Sequence, residues 1–92
     1  MSLRDALALK NKVIVVDGTE VTLRRPSVAD LVEAVQQSKT STNFAAWLVF
    51  THLLAENNQP YFINEAEVLG CDGVFVDLLA IEIDKLYGEG RS

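Results

Sequence analysis

Residues 43–56, Asn43-Phe44-Ala45-Ala46-Trp47-Leu48-Val49-Phe50-Thr51-His52-Leu53-Leu54-Ala55-Glu56, decide how the rest of the chain is read. They hold the only tryptophan and, with His52 neutral, no charge before Glu56. At helical spacing one face takes Phe44, Trp47, Leu48, Thr51 and Ala55, and the other takes Ala46, Val49, Phe50, Leu53 and Leu54. A surface helix keeps a polar side toward water. This one keeps none, so both of its faces require cover. The run is too short to cross a bilayer, which needs about 18 or more consecutive apolar residues. It reads as a central helix packed on nearly every side by the remainder of the chain, by a partner, or by both.

The 92 residues suffice for a single domain, with a core expected over about 10–87 and flexible ends at 1–3 and 88–92. An apolar share of 49% is generous for so small a body, so part of it is expected to end in an interface. Thirteen acidic residues against eight basic ones leave a net charge of −5. Nucleic-acid binding asks for the opposite balance, and the one basic pair, Arg24-Arg25, is too small to supply it. The single cysteine, Cys71, has no internal disulfide partner. No stretch reads as a signal peptide, and a cytoplasmic location is expected.

Outward from the central helix, the fold expected is α+β and mostly α: an N-terminal β-hairpin followed by three main helices and a short helical turn. Ser2 is placed to cap a brief turn over 4–9, readable either as docked or as an arm laid on a neighbour. Asp17-Gly18 between two β-prone runs signals a two-residue hairpin of type I′, which requires positive φ at both central residues. That loop pairs Val16 with Thr19, Val15 with Glu20, Ile14 with Val21 and Val13 with Thr22. Ile14, Val16, Val21 and Leu23 then share the face turned to the helices. Val13 and Val15 fall on the other face, either as β-formers against the N-terminal arm or as a surface for strand addition from a neighbour.

Pro26 ends the strand. Ser27 caps the next helix with Asp30 in support, and Val28, Leu31, Val32 and Val35 form its apolar stripe over 28 to about 37. A polar loop over 38–42 leads to the central helix, capped by Thr42 or Asn43, which the run 57–60 stops. Tyr61-Phe62-Ile63 suits an extended segment over the core. Asn64 caps a turn over 65–69 closed by Gly70, and Asp72 caps a last helix from 73 to about 87. That helix carries two adjoining stripes, Val74, Leu78, Ile81 and Leu79, Ile83, Leu86, extended by Phe75 and Val76.

Little here resembles catalytic machinery. His52 and Glu56 are one helical turn apart, but two residues do not complete a metal site. Cys71 has no local base. The carboxylates of the C-terminal third are scattered and serve solvation and capping. The glycines form no phosphate-binding pattern. An enzyme is not expected, nor a cofactor or a metal.

The stretch 17–31, D-G-T-E-V-T-L-R-R-P-S-V-A-D-L, resembles the opening of the tail assembly chaperones of tailed bacteriophages. There a hairpin runs through a Leu-Arg-Arg-Pro-Ser junction into a helix. Leu23, Arg24, Arg25, Pro26, Ser27, Asp30 and Leu31 carry the match, and Glu67, Leu69 and Asp72 fit the family's later part. The resemblance implies a non-enzymatic helper that self-associates and shields the tape measure protein during tail morphogenesis. It also implies a link to the tail tube protein through a longer frameshifted form. On this reading Val13, Val15, Phe75, Ile83 and Tyr87 are the candidate protein-binding residues, and neither nucleic acid nor membrane is a partner. One alternative is a cytoplasmic adaptor or regulatory domain dimerising through Leu79, Ile83 and Leu86 of its last helix. Another is a small metal-dependent enzyme around His52 and Glu56.

Overall fold

The computed structural model describes residues 2–40 and 43–89. Ser41, Thr42 and the ends at 1 and 90–92 lie outside them, with the expectations placed there. Eight elements follow in order: α1 (Leu3–Leu7), β1 (Asn11–Val16), β2 (Thr19–Arg24), α2 (Val28–Thr40), α3 (Phe44–His52), β3 (Leu53–Leu54), α4 (Glu65–Leu69) and α5 (Gly73–Glu89). The fold is α+β and mostly α, with the hairpin ahead of the helices.

The hairpin has the register that its turn dictates, Val16 with Thr19 through Val13 with Thr22. Asp17 and Gly18 take φ values of 49° and 77°, the left-handed pair that a type I′ turn demands. Val16 and Leu23 are buried, and Ile14 and Val21 pack against the core beside them. The helical side of the core is the α3–α5 pair, with α4 on α3. Val49, Leu48, Leu79 and Ile83 fill it.

The central run does not stay helical to its end. α3 stops at His52, Leu53 turns extended, and Leu53–Leu54 pair antiparallel with Leu23 and Thr22 as a third strand. An open sheet edge leaves backbone donors and acceptors unpaired, and these two residues satisfy part of one. Ala55 to Gln59 then form a tight turn, closed by the Ala55 N–H on the Gln59 carbonyl at 2.8 Å, with Asn58 at φ 63°. The second hairpin edge is thus partly taken by the chain itself; β1 is the outer strand. The expected cover of α3 is mostly internal as well. Ala46, Trp47, Leu48, Val49 and His52 are buried, and Phe44, Ala45 and Phe50 are partly so.

α2 departs from its expected orientation. Val28, Val32 and Val35 face outward, Val28 at 78% exposure, while Ala34 is buried and Asp30, Leu31 and Gln37 are half-buried. The reason is electrostatic. Ser27 and Asp30 form a reciprocal cap, the Ser27 N–H donating to Asp30 Oδ2 at 2.9 Å and the Asp30 N–H to Ser27 Oγ at 3.1 Å. The same carboxylate accepts from Arg24 Nη1 at 2.8 Å. That contact ties Asp30 to the hairpin, so the Asp30–Ala34 face turns toward the body of the fold and the valines, about 200° around at 3.6 residues per turn, toward water. α2 also runs on to Thr40, beyond its expected end.

The remaining caps follow the sequence. Asn64 and Glu67 make a capping box at α4, and Asp72 Oδ2 accepts the Phe75 N–H at 3.1 Å at the head of α5. α1 starts at Leu3 under a Ser2 cap and α5 reaches Glu89, so these parts of the expected flexible ends belong to helices. Tyr61 and Ile63 are exposed, and only Phe62 of that segment rests on the core.

Candidate functional site

The junction residues meet in a polar node under the core. Leu23 is fully buried at its strand end, while Arg25 points to solvent. Arg24 spans three elements: Nη1 to Asp30 on α2, Nη2 to the Thr51 carbonyl of α3 at 3.1 Å, and its own carbonyl at 2.8 Å from His52 Nδ1. A carbonyl only accepts, so Nδ1 carries the proton. In the neutral ring Nε2 is then an acceptor, and the Tyr87 hydroxyl of α5 donates to it across 2.6 Å. The His52 ring also meets Tyr87 edge-on, with centroids 5.3 Å apart.

Burial pushes the His52 pKa down, and the Arg24 charge adds to this. The Arg24 carbonyl and the Asp30 charge pull it up without overcoming burial. Burial pushes Asp30 upward, but the Ser27 N–H and the Arg24 hydrogen bond and charge outweigh it and hold the carboxyl below its ordinary value. The motif therefore does structural work in this fold. It fixes where hairpin, α2, α3 and α5 meet, and its histidine has no exposed surface.

The expected contact residues divide. Val13 and Val15 are exposed on the outer hairpin face. Phe75 is half-buried at the head of α5. Ile83 and Tyr87 are core residues, at 0% and 2% exposure, and cannot touch a partner in this fold. Helical period alone does not say which of two adjoining stripes turns inward. Here the stripe against α3 is Leu79, Ile83 and Leu86, all buried, which also removes the dimer surface expected for an adaptor. The outward stripe of α5 is Val74, Leu78 and Ile81.

His52 and Glu56 do not share a helical face, since α3 ends between them and Glu56 is an exposed turn residue. Both His52 ring nitrogens are taken by Arg24 and Tyr87. Among the described residues no three His, Cys, Asp or Glu side chains gather as a metal-binding group. No described helix is long and apolar enough to cross a membrane.

A concavity of about 740 Å³ opens between the sheet, Tyr61-Phe62 and the first turns of α5. Val21, Leu53, Leu54, Phe62, Phe75 and Val76 supply apolar lining, and Glu20, Glu56, Cys71 and Asp72 are exposed residues of the same cleft. The size is that of ligand-binding clefts. Of these, sequence reasoning named only Phe75 as a protein-binding residue, because the walls come from segments far apart in the chain. The apolar Tyr61-Phe62 run, unexplained by any helix, was the available signal. No family profile, curated protein or solved structure matches this chain.

Proposed function

We propose that this protein is a non-enzymatic assembly chaperone of the phage or prophage tail kind, which self-associates and shields the apolar helices of a tape measure protein. The tail tube protein would be a later partner, reached through a longer frameshifted form, and the setting the host cytoplasm. The observation that carries the reading is apolar surface left over once the core is full. With Leu79, Ile83 and Leu86 already inside, Val28, Val32 and Val35 on α2 and Val74, Leu78 and Ile81 on α5 still face water. The match at Leu23, Arg24, Arg25, Pro26, Ser27, Asp30 and Leu31 directs that surplus toward tail assembly.

Exposed aliphatic rows at helical spacing are what helix-in-groove recognition uses. The acidic excess of this chain favours solubility while such rows stay uncovered. The test is co-expression with helical segments of a phage tape measure protein. A soluble complex that forms with wild type and is lost in Val32→Lys/Ile81→Lys supports the reading; client segments that precipitate equally with and without the chain overturn it.

A second reading, an adaptor that dimerises through α5, survives only on the outward stripe Val74, Leu78 and Ile81. A closed dimer of fixed mass at every concentration would favour it.

A further inference from the structure

α1 is a helix without a visible reason to be one. It has five residues, buries none of them, and leaves Leu3 and Leu7 each 75% exposed, with Leu9 exposed just beyond. Helix nucleation is unfavourable, and isolated helices below about 12–15 residues are marginal in water. The Ser2 cap satisfies a single amide, that of Asp5. Such a segment needs an apolar surface to hold it, and its own body supplies none. The arm 3–10 carries Arg4, Asp5 and Lys10, all exposed, two basic and one acidic for a net +1. Asp5 lies about 200° around the helix from Leu3, and Arg4 and Lys10 have no ion partner among the described residues.

The cleft beside β2 presents the complement. Its lining is aliphatic and aromatic, and Glu20 and Glu56 in it are exposed carboxylates with no ion partner among the described residues. Asp72, at the head of α5, adds a third negative charge. We infer that the N-terminal arm of one copy, residues 3–10, docks in the Glu20–Glu56–Asp72 cleft of a second copy. Leu3 and Leu7 would meet the Phe62–Phe75–Val76 lining, with Arg4 and Lys10 over the acidic rim.

Two copies that exchanged arms would close as a dimer; the inference is of one-way docking, which is heterologous and on repetition gives a ring or an open row. The inference names what fills the cleft in the self-associated form and rests on that part of the proposed function. Client capture is a separate measurement, so either can fail without the other.

The test uses the full chain in sedimentation velocity over a concentration series. Wild type is expected to grow beyond a dimer with concentration. The arm variant Leu3→Asp/Leu7→Asp should be monomeric and melt where dilute, dissociated wild type melts, since no arm residue is buried within one chain. The rim variant Glu20→Lys/Glu56→Lys should also be monomeric alone. Mixing the two should produce one 1:1 species, in which the arm variant lends its cleft and the rim variant lends its arm. A monomeric wild type, an arm variant that assembles like wild type, or a mixture that stays monomeric would overturn the inference.

A second measurement does not depend on charge reversal. Cys71, the only cysteine, is exposed and lines the cleft, so Leu7→Cys under mild oxidation should give a ladder of chains joined between the introduced thiol and a neighbour's Cys71. A disulfide closed within one chain, or only between like positions, would overturn it.

Discussion

His52 is the residue on which most of the node turns. Its neutral, Nδ1-protonated form fits between a carbonyl and a phenol, and burial lowers its pKa. The unfolded chain holds histidine at about 6.5. Below that pH the unfolded state binds a proton that the fold refuses, so stability is full above about 6.5 and falls as pH drops toward the depressed native value. It is the only histidine. Urea melts at pH 8, 6.5 and 5.5 should therefore lose stability in wild type and stay nearly flat in His52→Gln. Asp30 acts in a separate, more acidic window. Its lowered pKa contributes stability above the unfolded value of about 3.9, lost as pH falls through the native one. Removing the Tyr87 hydroxyl with Tyr87→Phe takes the donor from a buried ring nitrogen, and chemical denaturation should show a loss of about 1–3 kcal/mol. The sequence placed His52 inside the apolar run 43–56. It did not show Tyr87 as its partner, because that contact spans 35 positions and depends on how α3 and α5 meet.

At the scale of elements, local chemistry was readable and rotation was not. The Asp17-Gly18 turn set the hairpin register, and the Asn64 and Asp72 caps marked two helix starts, because each is settled within a few residues. The end of α3 was hidden, since a short apolar run reads equally as helix or strand. Only the edge of β2 decides that Leu53–Leu54 leave the helix. For α2 the period announced an apolar stripe, while Arg24 and Asp30 determined that another face turns in. A paired mutation separates these. Val32→Gln should shift stability by no more than about 0.5 kcal/mol, as surface changes do. Ala34→Gln puts a larger polar side chain in a buried position and should cost about 1–3 kcal/mol. Thermal melts followed by circular dichroism read both. Asp30→Asn weakens the clamp that holds α2, so hydrogen exchange should rise across α2 amides and stay unchanged in α3 and α5. Equal loosening of all three would mean that the node supports the whole core rather than one helix.

For the whole molecule, the radius of gyration is 13.3 Å, where about 12 Å is usual for this chain length. The long axis reaches 42 Å. The core is complete, yet an arm, a cleft and two valine- and leucine-bearing stripes remain uncovered. The sequence made the surplus visible as composition but could not say which faces carried it, since that depends on how the finished helices are turned. These surfaces bear on how a chaperone would let go. The client rows lie on α2 and α5, and α5 also walls the arm cleft through Phe75 and Val76, so a helix laid on Val74, Leu78 and Ile81 would crowd a docked arm. If shielding and self-association share the cleft, they must compete, and each bound client segment removes an acceptor for a neighbour's arm. Titrating a helical client peptide into the assembled chain should lower the sedimenting mass toward a 1:1 complex, and the midpoint should rise with protein concentration. The arm variant Leu3→Asp/Leu7→Asp, having no neighbour to displace, should bind the same peptide more tightly. Client that adds mass without dissolving the assembly would place the two activities on separate faces, with α2 and α5 left to hold the client.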